Sequence, residues 1–188
     1  MVPIEPHDSL SDVWQKLRAG LSRANQDRKH PFRLPTLCTV SEQGPAARTL
    51  VMRHFDATTA SVRIFTDRRS AKFVHIQQEA RVSLHWYHPR HRTQIQMQGE
   101  ARLMDVDADL WKQLPFSAKT SYLTVLPPGH PIDAPAEGHQ MLPEDDSSHF
   151  QAIEIVPVRF ELLQLHAKGH LRAEFVQGND FFGQWLVP

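Results

Sequence analysis

At 188 residues the chain is long enough for one well-buried core and short for two, so a single domain over 1–188 is expected. Its 21 Lys and Arg balance 21 Asp and Glu, which argues against a general nucleic-acid or membrane-surface binder, since those carry a basic excess or stripe. The single cysteine, Cys38, excludes an intramolecular disulfide and a cysteine-built metal cage, and it suits a reducing, cytoplasmic setting.

Met1-Val-Pro-Ile lacks the basic start and apolar run of a signal peptide, and no stretch of about eighteen apolar residues occurs, so a soluble, unprocessed protein is expected. Ser9-Leu-Ser-Asp12 reads as a capping box, with Leu10, Val13, Trp14, Leu17 and Leu21 at helical spacing, giving an amphipathic helix over about 9–21. The polar run Ser22 to His30, then Pro31 and Pro35, breaks that pattern. Thr36 to Val40 opens a β region in which Cys38 reads as a small core residue, and the turn Ser41-Glu-Gln-Gly-Pro45 makes a hairpin leading to Arg48.

Arg48-Thr-Leu-Val-Met-Arg53 has a β-forming apolar middle between two arginines, so a strand with a guanidinium at each end is expected. Ser61 to Thr66 is the next strand. Asp67-Arg-Arg-Ser70 turns the chain into a helix over about 70–80, with Ser70 as N-cap and Phe73, Val74 and Ile76 facing a core. Lys72 falls in the first turn, where a cation opposes the helix dipole unless an anion sits there too, and phosphate is the simplest such anion. Solvated surface is the alternative for these basic residues.

Arg81 to Tyr87 is a strand and His88-Pro-Arg-His-Arg92 a turn. In Gln94 to Leu103 the residues Ile95, Met97, Ala101 and Leu103 alternate with polar ones, so one face is core and the other wet. His85, His88 and His91 straddle that turn and read as surface histidines rather than metal ligands. Helices over Asp105–Leu114 and Ser117–Val125 form a cap (about 105–126). The proline-rich, acidic segment 127–148 reads as a mobile lid or disordered loop. A short helix from Ser147 then leads through Pro157 to the strand Val158–Leu165, Leu171–Val176 is a final strand, and Trp185 to Pro188 closes the chain, so C-terminal strands occupy about 157–188. The pattern is mainly β with added helices (α+β), a small antiparallel barrel with its core over about 36–103.

The order and spacing of Arg48-x-Leu-Val-x-Arg53, Phe65-Thr-Asp-x-x-Ser-x-Lys72, Ala80-Arg-Val-Ser-Leu84 and Gln94 resemble the pyridoxamine 5′-phosphate oxidase-like family, the FMN-binding split β-barrels. The resemblance implies FMN as cofactor, bound along Arg48, Thr49, Leu50, Val51, Met52 and Arg53, with Arg48 and Lys72 on its phosphate. Phe65, Thr66 and Ser70 would line the cofactor and Gln94 would bond the flavin ring. It also implies a homodimer with FMN at the interface and a small-molecule substrate, with no nucleic acid, membrane or metal.

The departures from the family concern substrate. Ala71 replaces a second arginine, Arg53 replaces a lysine that grips the substrate phosphate, and Lys112 to Tyr122 lacks the remaining phosphate clamp. Leu163 stands near the place of a flavin-contacting tryptophan, and a substrate motif survives only as His170-Leu-Arg172, which leaves Arg53 and Arg172 as the substrate-binding candidates. The expected function is therefore an FMN-dependent oxidoreductase related to pyridoxamine 5′-phosphate oxidase but acting on another substrate; the alternative is a non-enzymatic flavin- or haem-binding split barrel.

Overall fold

The computed structural model describes residues 3–105, 108–167, 169–178 and 181–188. Helix α1 (Leu10–Gln26) starts at the expected capping box, in which the Ser9 hydroxyl accepts from the Asp12 N–H at 3.2 Å and the Asp12 carboxylate accepts from the Ser9 N–H at 3.0 Å. It runs past residue 21 because its end is set by a tertiary contact: Arg33 Nη1 donates to the carbonyls of Ala24 and Asn25, meeting groups that a helix end leaves unpaired. The side chain of Trp14 lies within 5.4 Å, centroid to centroid, of Phe160, Phe175 and Phe181, which fixes the helix to the sheet.

Strands β1 (Thr36–Ser41) and β2 (Gly44–Thr49) form the expected hairpin, followed by β3 (His54–Phe55), β4 (Val62–Asp67), helix α2 (Ala71–Gln78), β5 (Arg81–His88) and β6 (Thr93–Leu103). The expected strand Arg48–Arg53 ends at Thr49. Residues 50–53 instead stitch two parts of the barrel, with Leu50 and Met52 N–H donating to Pro35 and Arg33 carbonyls and Arg53 N–H to that of Arg63. Pairing to alternate neighbours gives this segment extended backbone without one continuous ladder. Cys38 is half-buried on the opposite face from Leu37 and Thr39, outside the core cluster. Val74 and Leu103 are exposed too, because α2 docks through Phe73 and Ile76 alone and the alternation of β6 lapses at its end.

The long strand β7 (Phe150–Gln164) replaces the expected short helix from Ser147. Its first half pairs with β4 and its second with β8 (Leu171–Val176), while β6 runs along the other edge, giving the order β2-β1-β5-β6-β7-β4-β3 with β8 and β9 (Phe182–Leu186) branching from β7. This divergence splits the barrel, as expected for a mainly antiparallel α+β fold. The strand was hard to read because Ile153 and Ile155 enter the main core while Phe150 enters a second cluster, so alternation is lost where both faces are covered. Pro157 is tolerated at a bulge, where the register shifts between Gln98 and Gly99. Strand β9, beyond the expected final strand, adds to β8.

The cap is shorter than expected, with α3 (Ala108–Gln113), α4 (Phe116–Lys119) and a 3-10 turn over Thr120–Tyr122; the proposed start at Asp105 reaches into residues outside those described. Trp111, Tyr122, Leu123 and Phe150 form its buried cluster, joined by Phe65 and Leu142. Segment 127–148 carries a 3-10 turn over Pro135–His139, and its two legs are tied. Thr124 bridges Met141, Leu142 N–H donates to Leu123 O at 2.7 Å, and Lys119 pairs with Glu144 at 3.2 Å. No helix among the described residues is long and apolar enough to cross a membrane.

Candidate cofactor site

Arg48 lies opposite Leu37 in the hairpin, on the same face as Thr39, and donates to the Thr39 hydroxyl at 2.6 Å. Thr39 also shares a 3.0 Å hydrogen bond with His75 of α2, so the strand and the helix meet at this hydroxyl. From the other side Lys72 donates to Thr66 Oγ1 at 3.2 Å, Thr66 and Ser70 share a hydrogen bond of 3.0 Å, and the Ser70 hydroxyl donates to Asp67 O. Ser70 occupies the N-cap position, but its side chain makes no cap bond.

Burial, and then the neighbouring charge of Arg48, hold Lys72 below its ordinary pKa; burial lowers Arg48 as well. Neither cation has a carboxylate partner within salt-bridge distance among the described residues. Asp67, the nearest acid to Lys72, is gripped by Arg69 through Nε at 3.1 Å and Nη2 at 2.8 Å. Arg48, which also donates to the Leu37 carbonyl at 3.4 Å, and Lys72 are thus two half-buried cations without a carboxylate contact, and a phosphate monoester dianion would match them in charge and in acceptor count. The chemistry of this donor set fits FMN's phosphate.

Beside it, the Arg53 guanidinium lies 5.3 Å from the Phe65 ring centre, and Phe65 packs against the cap cluster that contains the buried Tyr122, whose pKa is raised by burial against the lowering effect of the nearby charge of Arg53. Of the intervening residues, Met52 is fully buried, Leu50 and Val51 are half-buried and Thr49 is exposed. Sequence spacing missed Thr39, His75 and Tyr122, since each joins the site across strands or through the cap and carries no local signature.

Gln94 is not part of this constellation. It lies opposite Leu163 of β7, which lies opposite Arg172 of β8, so the three share one row on the outer face of the sheet. Phe65 lies opposite Ala152 on the same strand. Ala152 and Leu163 are eleven steps apart along β7, roughly 36 Å of strand, so Phe65 and Gln94 pair with opposite ends of it. Arg172 is also internally balanced, pairing with the buried Glu161 at 2.7 Å, which takes Arg159 as well.

The model of the pyridoxamine 5′-phosphate oxidase FMN-binding domain matches residues 11–105, half of the chain. The chain belongs to this family. A pyridoxamine 5′-phosphate oxidase-related, FMN-binding protein from Nostoc punctiforme PCC 73102 is similar over 100% of both chains, with 25% identity and a TM-score of 0.77. PhzG from Burkholderia lata 383, solved with tetrahydrophenazine-1-carboxylic acid, has the same fold at 20% identity and TM-score 0.77, covering 98% of each chain. General Stress Protein 26 from Bacillus anthracis str. Sterne shares the fold over 79% of this chain and 98% of its own, with 20% identity and TM-score 0.51. No curated protein matches the sequence.

The histidines of the β5–β6 turn depart from the surface reading. His88 is 7% exposed, with ring centres 4.2 Å from His91 and 5.8 Å from His30. Burial first, then the neighbouring positive charge of His91, push its pKa down to about 4. Among the described residues no cluster of His, Cys, Asp and Glu could hold a metal ion.

Proposed function

We propose that this chain is an FMN-binding flavoprotein with oxidoreductase activity on a small molecule other than a vitamin B6 phosphate. The observation that carries this reading is the pair Arg48 and Lys72, half-buried around the Thr39, Thr66 and Ser70 hydroxyls with no carboxylate in contact. FMN, when bound, supplies the redox chemistry; the protein supplies binding, orientation and electrostatics. Arg48 and Lys72 hold the phosphate, Thr66 and Ser70 orient it, and the backbone of 49–53 passes alongside. Phe65, Arg53 and Tyr122 face the substrate.

Gln94 serves the flavin from a second copy. The separation of Gln94 from Phe65 along β7 supports a homodimer with FMN between subunits, in which each copy gives the phosphate half of one site and the Gln94 half of the other. A groove of about 470 Å³ on the outer face, lined in part by Val40, Pro45, Gln98 and Val158, gives that dimer apolar surface to cover, since Val40 is 51% and Val158 41% exposed. A cytoplasmic location is consistent with the lone unpaired Cys38.

Titration with FMN and riboflavin tests the reading. FMN is expected to bind at least tenfold more tightly, and a flavin absorbance spectrum is expected for the purified protein. Equal affinities remove the phosphate site, and a haem spectrum or no chromophore removes the flavoprotein.

A further inference from the structure

Thr39 joins the strand and the helix of the cofactor site, and its hydroxyl proton has one acceptor. The residue is 2% exposed, and its oxygen accepts from Arg48 Nη1 at 2.6 Å. A guanidinium only donates, so the Thr39 proton is not used there. The remaining contact is His75 Nδ1 at 3.0 Å. Were that nitrogen protonated, the Thr39 oxygen would take two donors and its own proton would be buried with no acceptor among the described residues, which is the costly arrangement. The hydroxyl therefore donates to a bare Nδ1, and the ring proton sits on Nε2. The cations beside it need such a fixture. Arg48 and Lys72 repel each other, and no carboxylate among the described residues holds them together. Arg48 is tied instead to Thr39 of β1 and Lys72 to Thr66 of β4. The bond from Thr39 to His75 then fastens the hairpin that bears Arg48 to the helix that bears Lys72.

We propose that His75 is a positioning residue of the phosphate site: as the Nε2-protonated tautomer it accepts the Thr39 proton, turns the Thr39 lone pairs to Arg48 and holds that guanidinium near Lys72 before the anion arrives. This inference rests on the flavoprotein reading and deepens it by naming what preorganises the anion site. His75 acts through Thr39 rather than on the phosphate. Without its ring the Thr39 proton is left unmet, the hydroxyl turns away, and Arg48 is free to move off from Lys72. Bringing the two cations back together then falls on the binding step. That cost is borne by FMN and not by riboflavin, which has no phosphate to draw them in.

Fluorescence titration of the full chain with FMN and with riboflavin, together with nitrogen NMR of its histidine rings at pH 8, tests this. In the flavin-free chain the His75 signal, assigned by its loss in His75→Asn, is expected to show a bare Nδ1 and a protonated Nε2. His75→Leu is expected to weaken FMN binding about 3- to 10-fold, the scale of one neutral hydrogen bond, and to leave riboflavin affinity unchanged. His75→Asn, whose Oδ1 stands near the place of Nδ1 and accepts the same proton, is expected to recover most of that loss. Thr39→Val cuts the link from the strand side with little change of shape, and adding His75→Leu to it is expected to cost nothing further. Circular dichroism confirms that each variant is folded, and Thr39→Val decides the question if His75→Leu does not fold. A proton on Nδ1, an FMN preference that the folded single variants leave intact, or an Asn variant no better than the Leu variant overturns the inference and leaves the flavoprotein reading standing. Equal affinity of the wild-type chain for the two flavins overturns the flavoprotein reading and this inference with it.

Discussion

The Lys72 ammonium donates to the Thr66 hydroxyl over 3.2 Å, and that short link ties the first turn of α2 to the end of β4 across the turn between them. The lysine is stationed where burial and Arg48 both disfavour its charge. A site kept unfavourable for the ligand-free chain is the usual signature of function over stability.

Lys72→Met is therefore expected to act in opposite directions on the two properties. It should raise the melting temperature of the FMN-free protein, by relieving a half-buried like-charge contact, and weaken FMN binding by about 10- to 100-fold through loss of a charge-assisted bond. Riboflavin affinity should change little. Thermal scans with and without flavin read both effects; a variant that loses stability and keeps FMN affinity contradicts the assignment.

Gly99 is the pivot of the bulge between β6 and β7. A Cβ there would lie 2.3 Å from the Val156 carbonyl oxygen, a backbone atom that cannot swing aside. Gly99→Ala is expected to destabilise the fold by roughly 1–3 kcal/mol as the strands separate to admit the methyl group. Denaturant unfolding measures it, and an unchanged midpoint would mean that the bulge closes more loosely than the structure shows.

Acid should weaken the fold through His88. Its folded pKa, about 4, is depressed below the ordinary histidine value of about 6.5, so the unfolded chain binds the proton first. The direction follows: stability is unaffected above about pH 6.5 and is lost as pH falls from there toward 4, by on the order of 2 kcal/mol. His30, His91 and the nearby cations Arg23 and Arg90 face the same cluster, with Asp27 opposing them, so the transition belongs to the group. His88→Asn should flatten the pH dependence of unfolding between 6.5 and 4. An unaltered profile would place the acid sensitivity elsewhere.

Pyridoxamine 5′-phosphate is expected to be oxidised at least a hundredfold more slowly than by a competent member of the family, with FMN bound in both. Arg53 would meet its phosphate, but Arg69 and Lys119 are committed to Asp67 and Glu144, and two missing charge-assisted bonds at about 1.5–3 kcal/mol each are enough for such a loss. Product formation measured side by side decides it; comparable rates would mean that Arg69 or Lys119 exchanges its carboxylate for the substrate.

Local pattern alone determined much of this protein. The capping box at Ser9, the hairpin around Glu42 and Gln43, the alternation of Ile95, Met97 and Ala101, and the spacing from Arg48 to Lys72 each lie within a few residues of chain, where periodicity and turn chemistry act directly. That was sufficient for the family, the mainly antiparallel fold and the nearness of Arg48 to Lys72. Tertiary structure decided the rest, because those features depend on partners distant in sequence. Arg33 reaching the end of α1 lengthened the helix, and the two-sided burial of Phe150 to Ile155 hid β7 from any alternation test. Tyr122 came to Phe65 through the cap. Gln94 was set apart from Phe65 by the length of β7, since a strand fixes distance along its axis and the sequence records only the order in which residues come.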